Sequence, residues 1–277
     1  MPGYLELITF VFGLIVGSFL NVCIYRLPRD ISVVRPPSAC PLCTTRIRPW
    51  ENIPVVSFLF LRGKCRHCGE LISIRYPLVE LLNGIFYVSV FRHFGPGWQL
   101  PFLLALASAM IVITFIDLDF QIIPDVITLP GIIVGIVGAS LFIPDPFLTT
   151  DVGPRIPDFI NFQPAIINHQ AIVGFKNSLV GLLLGGGLFY LIAVLSRGGM
   201  GGGDIKMMAM VGAFMGWKAV LLTTFLGSLT GSVVGIFLMI AKGKGRKAKI
   251  PFGPFLALGA LITLFLGGDI LRWYFHM

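Results

Sequence analysis

Only 13 of the 277 residues are acidic, and four of those stand where a carboxylate is costly. Asp117, Asp119 and Asp125 fall in residues 115–125 (FIDLDFQIIPD), behind a long apolar stretch, and Asp204 follows the glycines of residues 199–206 (GMGGGDIK). An acid beside an apolar span needs a reason. Two carboxyls brought together at low dielectric cannot both ionise easily, so they tend to share one proton. One then accepts a proton from water while the other donates to a scissile carbonyl. That is aspartic proteolysis, which needs no metal, serine or nucleophilic cysteine. Gly201, Gly202 and Gly203 remove side chains ahead of Asp204, so an extended substrate backbone could approach. Plainer roles stay open for each acid. Asp125 follows Pro124 at a span start, where an acid favours the helix N-terminal dipole. Asp204 also begins a segment and could cap it, and Asp119 suits a solvated loop. Asp117 follows nearly unbroken apolar sequence, where simple solvation is less comfortable, but these arguments do not rank it above Asp119. Glu80 enters a span and could pair with a buried base or serve the same site as the aspartates.

A second constellation is made of cysteines. Cys40-Pro-Leu-Cys43 and Cys65-Arg-His-Cys68 place four of the five cysteines in two C-x-x-C pairs. The spacing is close to that of a zinc ribbon. Four thiolates suit tetrahedral Zn²⁺ and close its coordination sphere, so such a site holds structure and leaves no position for water. Two disulfides are the plainer alternative, disfavoured if the segment faces the reducing side of a membrane. His67 reads as a bystander, and Cys23, at a span end, as a small apolar thiol. Residues 54–61 (PVVSFLFL) are too short to cross a bilayer and read as the core or the membrane-facing side of this module.

The elements that must position these groups follow from composition. Hydrophobic residues make up 56% and charged residues 12% of the chain, about half the charged share of an ordinary soluble domain. A soluble fold and a disordered chain are both excluded, leaving an all-α polytopic membrane protein. Residues 4–22 read as a retained first helix, because no Lys or Arg precedes them. Further apolar runs cover roughly 77–95, 100–116, 124–144, 172–196, 218–241 and 251–271, with a short one at 205–217. Nine Lys/Arg lie between the first two spans and five more lie in 242–249. The positive-inside rule puts both clusters in the cytoplasm. Parity is met only if the short segment also crosses or dips, which gives about eight membrane segments. The expected organisation is a first span (1–23), a small cytoplasmic zinc-binding module held by four cysteines (24–76) and a membrane-embedded core (77–277) with an outer loop at 145–171. The net charge of +8 is then mostly an orientation signal. A basic inner face suits anionic lipid, and nucleic acid is not an expected partner.

Seven motifs in order carry a resemblance over nearly the whole chain: GSFLNVCIYRLP (17–28), the paired C-x-x-C module, ENIPVVSFLFLRGKC (51–65), ISIRYPLVELL (72–82), FIDLDFQIIPD (115–125), GMGGGDIKMMAMVGAFMGW (199–217) and IPFGPFLALGA (250–260). The chain resembles the type IV prepilin peptidases, bifunctional leader peptidase/N-methyltransferases of pilus and type II secretion systems. These belong to the GxGD membrane aspartic proteases. The resemblance implies Asp204, at the end of Gly201-Gly202-Gly203-Asp204, as one catalytic acid. It implies Asp117, the first Asp of the D-x-D element, as the other. Lys206, Asp119 and Glu80 are candidates to support them. It also implies an enzyme of the bacterial inner membrane. The substrates are type IV prepilins or pseudopilins, whose short basic leader is cut after a Gly at the cytoplasmic face. The new N-terminus is then methylated with S-adenosylmethionine. No Rossmann glycine fingerprint is present, so the methyl donor has no obvious seat. The cysteine module and Glu80 are the candidates.

Two other classes of function use the same features. Intramembrane carboxylates and glycine-broken helices also mark ion-coupled transporters, and a zinc-stabilised assembly scaffold would need its acids only as caps. A zinc peptidase fits poorly, because there is no H-E-x-x-H and a four-thiolate site is closed.

Overall fold

The computed structural model describes residues 2–142, 169–197, 199–242 and 251–275. Every α-helix or strand among them is helical: α1 (Pro2–Arg26), α2 (Val56–Phe60), α3 (Arg75–Phe94), α4 (Leu100–Phe120), α5 (Asp125–Leu141), α6 (His169–Leu195), α7 (Gly202–Lys242) and α8 (Gly253–Phe275). Strand-like pairing among the described residues is confined to the isolated bridges Ala39–Arg46 and Lys64–Leu71. The expected outer loop lies almost wholly outside the described residues, as does most of the basic run after Lys242.

Among the described residues, five helices are long and apolar enough to cross a membrane: α1, α4, α6, α7 and α8. The eight segments read from the sequence are these five, together with α3, α5 and a division of α7. The difference has three physical sources. Helix α3 carries Arg75, Glu80 and Arg92. Helix α5 has 17 residues, with Pro130 inside it. The segments at 205–217 and 218–241 are two helices that meet at a kink, where Gly216 leaves the helical conformation, and they are counted together as the 41-residue α7. At Gly216 φ is +79°, and a Cβ there would meet the Asn177 side chain, so both backbone and space require glycine. The short segment is densely packed. Met207, Met208, Met210, Val211, Ala213, Phe214 and Met215 are all buried.

The chain forms two compact units, Met1–Arg92 and His93–Met277. In the first, α1 and α3 run antiparallel, and the register is visible residue by residue. Glu6 pairs with Arg92, the Asn83 side chain donates to the Gly13 carbonyl at 2.7 Å, and Asn21 donates to the Tyr76 carbonyl at 3.0 Å. Gly13 and Gly17 lie against the backbone of Gly84 and Glu80. Helix α3 therefore groups with α1 and the cysteine segment. Helix α2 buries Ser57 and turns Leu59 and Phe60 outward, the latter 84% exposed, so the 54–61 segment presents an apolar face.

In the second unit α7 is the hub, packed against α5, α6 and α8, while α4 packs on α8. Small residues set its closest crossings. Gly181 of α6 lies on Gly212 and Gly216 of α7, Gly185 on Met208, and Gly135 of α5 on Phe214. Such backbone approach is the usual means of helix association in lipid.

A Cβ at Gly181 would strike the Gly212 carbonyl, whereas one at Gly187 meets nothing within 4 Å. Gly181→Ala should therefore destabilise by about 1–3 kcal/mol, and Gly187→Ala should be neutral or stabilising by up to about 1 kcal/mol. Thermal unfolding of the purified protein in detergent reads both. Equal melting temperatures would contradict the close α6–α7 crossing.

Candidate active site and metal centre

Asp117 is placed by the way α4 ends. Gln121 takes the left-handed conformation (φ +54°) and donates its N–H to the Asp117 carbonyl at 2.9 Å. This fixes Asp117 in the last helical turn. Its residue is 6% exposed, while Leu118 and Asp119 face outward. The same chain segment thus turns one acid of the D-x-D pair inward and the other outward. The Gly253 N–H, at the first residue of α8, donates to Asp117 Oδ2 at 3.0 Å. A helix N-terminus is a natural seat for a carboxylate.

Asp204 lies in the first turn of α7, half-buried, with its N–H donating to the Gly201 carbonyl at 3.2 Å. It stands close enough to Asp117 for the two carboxyls to interact electrostatically. Ile123, in the link between α4 and α5, locks the arrangement. A Cβ at Gly203 would lie 2.7 Å from Ile123 Cβ, and one at Gly253 would lie 3.3 Å from Ile123 Cδ1. Three chain segments therefore converge on the pair: the end of α4 with its link, the start of α7 and the start of α8. The glycines before Asp204 differ in role. Gly203 is required by packing, Gly201 lies near Asp204 Oδ2, and Gly202 faces open space. That opening is where a substrate backbone could approach.

Lys206 and Asp125 pair with each other. Lys206 Nζ donates to both Asp125 carboxylate oxygens, at 2.7 and 2.6 Å. Residues two apart leave a helix on different sides, so Lys206 and Asp204 do not share a face. The pair joins the first turns of α5 and α7. It is exposed and worth at most about 1 kcal/mol, so its contribution is positional. Asp125 stands in the first turn of α5, directly after Pro124 at the N-cap. Glu80 lies in the first unit, where Val55 N–H donates to its Oε2 at 2.8 Å.

Sequence reasoning did not single out Gly253 or Ile123. A signal for Gly253 was present, because Pro251 and Pro254 flank it at the start of an apolar helix, and proline is favoured at a helix start.

The four cysteines Cys40, Cys43, Cys65 and Cys68 are free thiols whose sulfurs all lie within 4.8 Å of one another. Cys40 and Cys68 are 3.9 Å apart, and Cys43 and Cys65 are 4.0 Å apart. Tetrahedral Zn–S bonds of about 2.3 Å imply S···S distances of about 3.8 Å, so the set fits a metal ion. It is built from two like knuckles. Cys40 N–H donates to the Thr45 carbonyl and Thr44 N–H to the Cys40 carbonyl; Cys65 N–H donates to Glu70 and Gly69 N–H to Cys65 in the same way. The left-handed position is Thr44 in one and Gly69 in the other. The Thr45 hydroxyl and N–H bring the Cys43 thiol down to about 6. The N–H groups of Cys68 and His67 lower Cys65. The Glu70 N–H favours the Cys68 thiolate, but burial and its three thiol neighbours push Cys68 up to about 12. A dication among them reverses that repulsion.

Comparison with known proteins matches both units. Residues 11–94 match the bacterial peptidase A24 N-terminal domain, and residues 104–236 match the type IV leader peptidase family. The prepilin leader peptidase/N-methyltransferase of Aeromonas hydrophila is 35% identical over 303 residues, covering 99% of this chain and 95% of its own length. That of Pseudomonas aeruginosa PAO1 is 35% identical over 297 residues, covering 99% and 94%. That of Myxococcus xanthus DK1622 is 40% identical over 248 residues, covering 88% and 67%. No solved structure matches.

A Cβ at Gly253 would lie 2.6 Å from Asp117 Oδ2, so Gly253→Ala must displace the carboxyl. Ångström-scale misplacement of a reacting group costs up to about 100-fold. Any hydrolytic turnover that depends on Asp117 should fall about 10- to 100-fold, with the melting temperature nearly unchanged. Wild-type turnover in Gly253→Ala would remove this N–H from the site.

Proposed function

The chain belongs to the type IV leader peptidase family, and on that premise we propose that it is an aspartic endopeptidase of the bacterial inner membrane. It removes the short basic leader of type IV prepilins or pseudopilins at the cytoplasmic face and then N-methylates the new terminus. The observation that carries the reading is the seating of Asp117. Its carboxyl is buried, takes the Gly253 N–H, and interacts electrostatically with Asp204. Two such carboxyls can divide the work of hydrolysis. One accepts a proton as water attacks the scissile carbonyl, and the other donates to the carbonyl oxygen. Gly202 leaves room for the extended backbone at the cleavage point. Asp125 and Lys206 hold the starts of α5 and α7 in register, and Asp119 faces outward beside the dyad. The apolar helix of the substrate can stay in the bilayer throughout, because both acids sit at helix ends.

Cys40, Cys43, Cys65 and Cys68 would hold one structural Zn²⁺, which gives the small segment between α1 and α3 an anchor that its few buried residues do not supply. S-adenosylmethionine, when bound, supplies the methyl group.

Asp117→Asn and Asp204→Asn should each lower leader cleavage by about a thousandfold or more while the protein still inserts. Asp125→Asn should keep much of its activity. The product mass of a prepilin incubated with purified protein and S-adenosylmethionine reads cleavage and methylation together. Retained cleavage in either of the first two variants would refute the dyad. Metal analysis of the same protein should find one zinc per chain, lost on Cys43→Ser, with methylation or folding impaired more than hydrolysis. A metal-free preparation with oxidised thiols would count against the zinc reading.

A further inference from the structure

The first unit contains a cavity of about 450 Å³ whose lining residues all lie between Ser18 and Glu80. This is within the range of roughly 300–1,000 Å³ typical of small-molecule sites. It is walled by the last turns of α1, the first turns of α3 and the cysteine segment.

Its lining combines charges of both signs with aromatic rings. Glu80 is 8% exposed. One of its oxygens accepts the Val55 N–H at 2.8 Å, and the Ser18 hydroxyl bonds the same carboxyl. Among the described residues no Lys or Arg pairs with it. An ionised carboxylate has about four acceptor positions, so two donors leave capacity for a cation. Val55 holds its N–H in place at a cost. Its φ is +61°, a conformation rare for a β-branched residue, and strain of this kind collects where a site needs it. Arg26, also in the lining and 9% exposed, gives Nη1 to the Ser32 carbonyl at 2.8 Å and Nη2 to the Pro36 carbonyl at 2.7 Å. Those bonds fix the guanidinium and leave N–H donors over for an anion. Tyr76 and Phe58 supply aromatic surface.

We propose that this cavity binds S-adenosylmethionine, with Glu80 facing its cationic part and Arg26 available to its carboxylate. The inference rests on the reading of the chain as an N-methyltransferase. The chemistry of the donor selects the site. It is a zwitterionic amino acid joined through a sulfonium to a flat aromatic base, and it needs a carboxylate, a fixed cation and apolar walls together. A sulfonium carries no N–H or O–H, so a buried carboxylate and aromatic faces are what can hold it. The acceptor is a newly freed amine. Methyl transfer forms its N–C bond as the S–CH₃ bond breaks, and the amine gives up a proton. The sulfur leaves as a neutral thioether.

Calorimetric titration of S-adenosylmethionine into the purified full-length protein tests the proposal without relying on turnover. Glu80→Gln should weaken binding about tenfold or more, the worth of a charge-assisted contact. Binding of the neutral product S-adenosylhomocysteine should be weakened much less. Zinc content should match wild type. Should Glu80→Gln fail to fold, a photoactivatable donor analogue on the wild-type protein decides the matter, and crosslinks should map to residues 18–80. Wild-type affinity in the folded Glu80→Gln protein, or crosslinks mapping to the second unit, would overturn the proposal. A wild-type protein that binds the donor but cleaves no prepilin would instead count against the peptidase reading.

Discussion

A carboxyl group at the edge of a hydrocarbon layer must be stabilised by water or by protein dipoles, and the second unit is arranged around that need. Asp117 ends a long apolar helix, so its own helix presents the unfavourable end of its dipole. Nothing in α4 can compensate for this. The compensation comes from α8, whose first N–H points at Oδ2. Once that bond is required, the start of α8 must lie against the end of α4, and residue 253 can carry no side chain. Ile123 then fills the space left between Gly203 and Gly253. The start of α7 is drawn to the same point, with Asp204 in its favourable first turn. Convergence of helix ends is therefore a consequence of burying one acid.

The rest of that unit serves the same geometry at a distance. Backbones that approach through glycine hold their helices at short, fixed separations. Gly181, Gly185 and Gly212 do this between α6 and α7, and Gly135 between α5 and α7. Larger residues there would move α7, and Asp204 with it. The bend at Gly216 lets the buried first part of α7 follow the bundle while the remainder continues in a new direction. The Asp125–Lys206 pair fixes the start of α5 to that of α7 at the exposed end. Packing and charge thus act on the same helix ends from opposite sides.

Much of this was readable from residue types. Composition pointed to the membrane class; the costly placement of the acids marked Asp117, Asp119, Asp125 and Asp204 together, and only the family resemblance picked Asp117 and Asp204 from the four. The C-x-x-C pairs marked the metal centre. Four things were hidden for physical reasons. A backbone N–H has no letter of its own, so the Gly253 donor showed only as a glycine between prolines. The bend at Gly216 is a dihedral angle, and hydropathy cannot separate one bent helix from two crossings. The likeness of the two knuckles rests on main-chain hydrogen bonds, since Pro41 and Leu42 have little in common with Arg66 and His67. The partner of Lys206 was hidden by distance along the chain, because only folding brings α5 against α7.

The two units ask opposite things of a carboxylate. In the second unit the buried Asp117 takes the Gly253 N–H and feels the charge of a second acid, Asp204. In the first unit Glu80 is held by neutral donors alone, an amide and a hydroxyl, which orient it without neutralising it. A carboxylate so held attracts a cation and is poorly placed to exchange protons with a second acid. The chain divides at Arg92, with distinct family matches on either side, and each carboxylate takes its backbone donor from its own unit, Glu80 from Val55 and Asp117 from Gly253.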